Sequence, residues 1–180
     1  TLLTYIKRPQ DDERLIIIGS LKLSELNQVE NKEEYAMYTK VVVAVDLSND
    51  SKKVLDRAVK ITGNDISKLD LVHVVEPVAA AYSMDIYAVN VNELQQESIN
   101  LAEQRLKKIG TELGIADNRL HTLLGAPATE VRNLADELGA DAIVIGSHGH
   151  SGWKILLGST AIKVLHGATC DVLTIHVGDD

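Results

Sequence analysis

Two places in the chain carry residue types suited to binding an anion. Gly146, Gly149 and Gly158 punctuate one loop, and Ser159 and Thr160 follow it directly. The loop comes after a strand-like run, Asp141-Ala-Ile-Val-Ile145, and leads into helical periodicity from Leu157 to His166. A glycine-rich turn between strand and helix exposes backbone N–H groups, and the helix N-terminus adds partial positive charge. The glycines permit close backbone approach, and the two hydroxyls can donate hydrogen bonds. The chemistry is phosphate binding, as for a nucleotide, although such a turn also closes ordinary βα units. The second place is Asp46, at the end of Val41-Val-Val-Ala-Val45 and the start of a turn running to Asp50. Its carboxylate can accept from a ligand or from the start of the next helix.

The elements that must position these residues are legible from residue 40 onward. Val41 to Val45 is a continuous β-branched run, the mark of a strand covered on both faces. Val54, Leu55, Ala58, Val59 and Ile61 recur at helical spacing up to Gly63. Leu69 to Val75 reads as a second strand, ended by Glu76-Pro77, and residues 77–91 read as a long loop. Asn92 is expected to cap a long helix that Gly114 ends. A third strand spans Arg119 to Leu124, and Pro127 sits in the first turn of a helix closed by Gly139. The fourth strand, the glycine loop and a last helix follow, and Asp171 to Val177 is the fifth strand.

Such alternation predicts an α/β fold, a doubly wound five-stranded parallel sheet in the order 3-2-1-4-5. Ligands collect beyond the carboxyl ends of the strands where the winding reverses. That point lies between the first and fourth strands, which brings Asp46 and Gly146 to one crevice. Residues 1–39 stand outside the pattern and read as an extension or linker, with a possible strand at Leu15 to Ile18; residues 40–180 form the domain.

Composition narrows the function. The chain of 180 residues carries a net charge of −8, which disfavours nucleic acid as a partner. Hydrophobic residues make up 45% with no Phe, so the core is aliphatic. The single cysteine, Cys170, cannot form an internal disulfide, which suits a reducing cytoplasm. No run is long and apolar enough to span a bilayer. Cys170 reads as structural, and Trp153 as a packing anchor for the loop. His73 reads as a strand residue with a satisfied imidazole. His148, His150 and His166 are not expected to bind metal, since no convergent third ligand or supporting partner is evident.

Several segments, in order and at matching spacing, resemble the universal stress protein family. They are Val41 to Ser48, Leu71 to Val75, Gly125-Ala-Pro127-Ala-Thr-Glu130, Ala140 to Gly149, Leu157-Gly-Ser159 and Cys170-Asp-Val-Leu173. The resemblance, to the single-domain proteobacterial type, covers about residues 40–177. It implies a Rossmann-like fold of the adenine nucleotide alpha hydrolase kind, a homodimer and a role in stress response without a common catalytic reaction. Some members bind ATP and others do not. It also implies that Asp46 faces the adenosine and that the backbone of Val74 or Val75 meets the adenine. Gly146, Gly149, Gly158, Ser159 and Thr160 would hold ribose and phosphates. One departure stands out: eight residues, His150 to Leu157, separate Gly149 from Gly158. That is one fewer than in the well-known ATP-binding pattern, which alters phosphate geometry.

The leading expectation is therefore a regulatory protein that binds ATP or another adenine nucleotide. The alternative is a dimeric interaction protein of the same fold that binds none. A phosphoryl-transfer enzyme is disfavoured, since Lys154 lies between Trp153 and Ile155 rather than in a Gly-Lys-Ser/Thr loop. The fifth strand, Val172 to Val177, is expected at the sheet edge, where pairing with a second copy would cover its open N–H and C=O groups.

Overall fold

The aliphatic runs form strands and the amphipathic segments between them form helices. A computed structural model describes residues 38–78, 90–147 and 158–177. In chain order the elements are β1 (Val41–Ala44), α1 (Ser51–Ile61), β2 (Leu69–Val75), α2 (Val91–Leu113), β3 (Leu120–Leu124), α3 (Pro127–Leu138), β4 (Ala142–Ser147), α4 (Ser159–Gly167) and β5 (Asp171–His176). The sheet is parallel throughout, in the order β3-β2-β1-β4-β5, as expected from sequence.

Alternation along each strand divides the core in two. Val41 and Val43, with Leu69, Leu71, Val144 and Leu173, face Val54, Leu55 and Ala58 of α1 and Leu106 of α2. Val42, Val72, Ile143, Ile145 and Val172 face the other way, onto Val131, Leu134 and Ala135 of α3 and Ala161, Val164 and Leu165 of α4. Each such side chain contributes about 1.5–3 kcal/mol on burial, so branched aliphatics suffice without phenylalanine. Helices before the winding reversal cover one face, and those after it cover the other.

Local signals set most boundaries. Gly114 (φ 75) and Gly139 (φ 62) end α2 and α3 in the left-handed conformation, as their positions suggested. The start of α2 differs from expectation. Asn90, not Asn92, is the cap, and its side chain accepts the N–H of Glu93. Asn92 already lies within the first turn, where its own N–H is among the helix's unpaired donors. Arg119 likewise precedes β3, in a short 3-10 turn (Asp117–Arg119), and donates to the buried Asp70 at 3.2 Å.

The sheet also grips the chain ahead of residue 40. The Asp141 carboxylate accepts from Thr39 N–H and Oγ1, both at 2.7 Å, and from Lys40 N–H at 3.1 Å. The buried Tyr38 donates its hydroxyl to Asp171 at 2.9 Å. Among the described residues, no helix is long and apolar enough to cross a membrane.

Candidate functional site

β1 is the shortest strand, and its early end opens the crevice. Its last rung to β2 runs from Val45 N–H to the Val72 carbonyl, at 3.0 Å. In a parallel ladder each residue turns its N–H and C=O to the same side, and sides alternate. Val74 is thus the next residue on the edge of β2 that β1 has left. Val75 faces the other way, and its carbonyl accepts Gly125 N–H at 3.0 Å. Of the two valines, Val74 turns its backbone towards the gap.

The gap holds a cavity of about 290 Å³ bordered by Asp46, Asp50, Ser51, His73, Val74, Glu76, Pro127, Gly146 and Thr160, with an aliphatic floor that includes Val54, Val72 and Ile145. Four of the residues singled out in sequence, Asp46, Val74, Gly146 and Thr160, therefore meet there. A second cavity of about 300 Å³ lies alongside, between the ends of β1 and β2 and the α2 residues Ser98, Leu101, Ala102 and Arg105. It shares Asp46, His73, Val74 and Glu76 with the first, and Val75 lines it alone. Gly158 and Ser159 stand next to Thr160 but outside the cavity linings. Gly149, His148, His150 and Trp153 lie outside the described residues.

Asp46 shows why a turn and a site coincide. Its Oδ1 accepts from Ser48 N–H at 3.0 Å, Ser48 Oγ at 2.7 Å and Ser51 Oγ at 2.8 Å. Leu47, with φ 61, adopts the left-handed conformation within this turn. The carboxylate thereby ties β1 to the start of α1 and is fixed in orientation at the rim. The turn role weighed for Asp46 is real, and it leaves the residue bordering both cavities.

At α4 the hydroxyls of Ser159 and Thr160 do not serve as the helix cap. Gly158 occupies the cap position with φ −55, and no side chain caps the helix. Its carbonyl accepts Ile162 N–H at 3.0 Å. Ser159 and Thr160 form the first turn, where N–H groups point out of the helix without an intrahelical acceptor. α1 and α3 also begin without a side-chain cap, at Asp50 and Ala126, and Ser51 and Pro127 reach the same cavity. Three helix N-termini thus converge on it, each with partial positive charge. Opposing them, the lining includes the carboxylates of Asp46, Asp50 and Glu76.

Gly146 is confined by packing. A Cβ there would lie 3.2 Å from Val54 Cγ2 and 3.4 Å from Val177 Cγ2. Its small size lets α1 and the end of β5 close over β4 beside the cavity.

His73, read in sequence only as a satisfied strand residue, is part of the wall. Its Nδ1 lies 2.8 Å from the Val45 carbonyl, so that bond exists as expected. The ring also borders both cavities. Asp50, Ser51, Glu76 and Pro127 were not singled out as site residues. The signal for them is positional: each follows a strand end or opens a helix at the carboxyl edge of the sheet. Cys170 is buried, and burial, followed by the negative charge of Asp136, raises its thiol to about 11. It stands away from the cavity linings, consistent with a structural role. Among the described residues, no group of three His, Cys, Asp or Glu could hold a metal ion.

Known proteins agree with this architecture. The family model of the universal stress protein family matches residues 37–176. Universal stress protein A homolog 1 of Coxiella burnetii is 40% identical over 139 residues, covering 77% of this chain and 96% of that protein. The structure of universal stress protein UspA from Lactobacillus plantarum superposes with a TM-score of 0.59 at 24% identity, over 77% of this chain and 97% of that one, a likeness of fold. A universal stress protein solved in complex with cAMP gives a TM-score of 0.51 at 28% identity, over 78% of this chain and 99% of that one. With a family match across most of its length and relatives aligned nearly end to end, the chain belongs to the universal stress protein family.

Proposed function

We propose that this protein is a cytoplasmic stress-response regulator that binds an adenine nucleotide, ATP foremost, between Asp46 and the Gly146–Thr160 segment. The observation that carries the reading is the cavity of about 290 Å³ shared by Asp46, Val74, Gly146 and Thr160. The base lies against the open edge of Val74, with Asp46 accepting from the adenosine. The phosphates lie towards the first turn of α4 and the glycines before it, Gly149 and Gly158 included. The cAMP complex of a relative supports an adenine ligand for this fold. The protein acts by binding and not by turnover.

Thermal unfolding with ATP, AMP and cAMP tests the reading. Ligand at a hundred times its dissociation constant adds about 2.7 kcal/mol of stability. Absence of stabilisation by all three would overturn it.

One observation favours a second reading. Asp46, Asp50 and Glu76 put three carboxylates around the cavity, and these oppose a polyphosphate. A chain that ignores nucleotides would act through its dimer surface alone. In either reading the dimer forms through β5. Asp171 and Val177 send their N–H groups to the carbonyls of Asp141 and Ser147. By alternation the outward edge then belongs to Val172, Thr174 and His176, and a second copy pairs with it about a twofold axis.

A further inference from the structure

We propose that His73 is a specificity-determining residue that selects a 6-amino over a 6-oxo purine at this site. The proposal rests on the nucleotide reading above and deepens it. The Val45 carbonyl can only accept a hydrogen bond, so the Nδ1 atom 2.8 Å away carries the proton. In the neutral ring, Nε2 is then an acceptor. Nε2 has no partner among the described residues and is absent from the buried unpartnered atoms. It is therefore not fully buried, on a ring that borders both cavities.

The other side chains of that shared wall point to the same selection. Asp46 and Glu76 contribute carboxylates and Val74 an open backbone edge. The side chains there offer acceptors. A 6-amino group brings two hydrogens to such a wall. A 6-oxo group brings an oxygen, which sets acceptor against acceptor and leaves both unpaired. A site built to receive an N–H rejects the analogue that lacks it more strongly than an apolar pocket rejects a change of size.

ATP and ITP share ribose and triphosphate and differ at the 6-substituent and at the N1 proton that accompanies the 6-oxo form. Their affinities are measured by calorimetry at pH 8. Wild type is expected to bind ATP at least about tenfold more tightly than ITP. His73→Asn keeps an N–H in place of Nδ1–H and removes the Nε2 acceptor. It is expected to bind the two nucleotides within about twofold of each other, through loss of ATP affinity. Equal binding by wild type, or discrimination that survives in His73→Asn, overturns the role of His73 and leaves the nucleotide site standing. Binding of neither nucleotide by wild type overturns both. Should the variant fail to fold, imidazole ¹⁵N resonances of the wild type decide: the Nε2 signal of His73 shifts with ATP and stays with ITP. An Nε2 signal unmoved by ATP refutes the proposal.

Discussion

The Nδ1–H of His73 reaches across from β2 to the carbonyl of Val45, 2.8 Å away. A further rung between β1 and β2 would have run from Val74 N–H to that same carbonyl. Backbone pairing stops at Val45 N–H to Val72, and a side chain takes the acceptor. The ladder is thus closed without continuing, and the edge at Val74 stays open beside the Asp46 turn.

This bond should be measurable as stability. His73→Ala leaves a carbonyl in the interior of the wall without its donor and is expected to cost about 1–3 kcal/mol. His73→Asn should recover a large part of the loss. Urea denaturation of both variants checks it, and equal destabilisation by Ala and Asn would show that the bond to Val45 contributes nothing.

Gly146 tests how tightly the site floor is packed. A Cβ at 3.2 Å from Val54 and 3.4 Å from Val177 requires both valines to give way slightly. Gly146→Val adds two more carbons and should destabilise by about 1–3 kcal/mol through overpacking. Combined with Val54→Ala, which removes the nearest methyl, the loss should be less than additive. Strict additivity of the two changes would place the clash elsewhere.

Much of this was readable in sequence, and the reasons are specific. Val41–Ala44 and Ala142–Ser147 are buried on both faces, so their apolar runs had one interpretation. Gly114 and Gly139 mark helix ends because the left-handed conformation favours glycine. Asn92 was expected as the cap where Asn90 serves, because two asparagines two residues apart carry the same capping chemistry. Asp46 was found as a residue of interest, yet the three hydrogens it accepts depend on Ser48 and Ser51 folding back onto it. The His73 ring was invisible as a cavity wall because its position depends on where β1 stops. The buried Asp70, held by Arg119 at 3.2 Å and His121 at 3.0 Å, was missed for a similar reason. Its two partners lie about fifty residues away, one in the 3-10 turn before β3 and one on β3 itself.

Asp46 joins two roles that substitutions can separate. Asp46→Asn keeps an oxygen for Ser48 and Ser51, whereas Asp46→Ala removes it. Alanine is therefore expected to cost about 0.5–2 kcal/mol of stability, as for loss of a helix-start acceptor, and to weaken ATP binding. Asparagine should preserve stability and still weaken ATP, because the charge is gone. Thermal unfolding and calorimetry on the two variants give both quantities. An Asn variant with wild-type ATP affinity would reduce Asp46 to its turn role.

Cys170 should be unreactive in the folded protein. With its thiol raised to about 11, little thiolate exists at pH 8, and iodoacetamide should modify it far more slowly than a free thiol. The folded value lies above the ordinary one of 9.0, so the thiol's contribution to stability is complete below that pH. It is lost as pH rises towards 11. Rapid native-state alkylation at pH 8 would contradict the buried environment.

The outward edge of β5 can be tested without entering the core. His176 lies at the end of the strand and, by alternation, directs its N–H away from β4. His176→Pro removes that donor and obstructs strand addition. Light scattering at micromolar concentration should show a wild-type dimer and a variant shifted to monomer. A wild-type monomer, or a variant that remains a tight dimer, would exclude pairing through this edge.

The most direct test of nucleotide binding is calorimetric titration of ATP into wild type and into Thr160→Glu. A glutamate in the first turn of α4 favours the helix electrostatically, so the fold is retained while the new carboxylate opposes phosphate. The account predicts one saturable site per chain in wild type and at least about tenfold weaker binding in the variant. ATP that gives no binding to wild type, or binds the glutamate variant equally well, would contradict it.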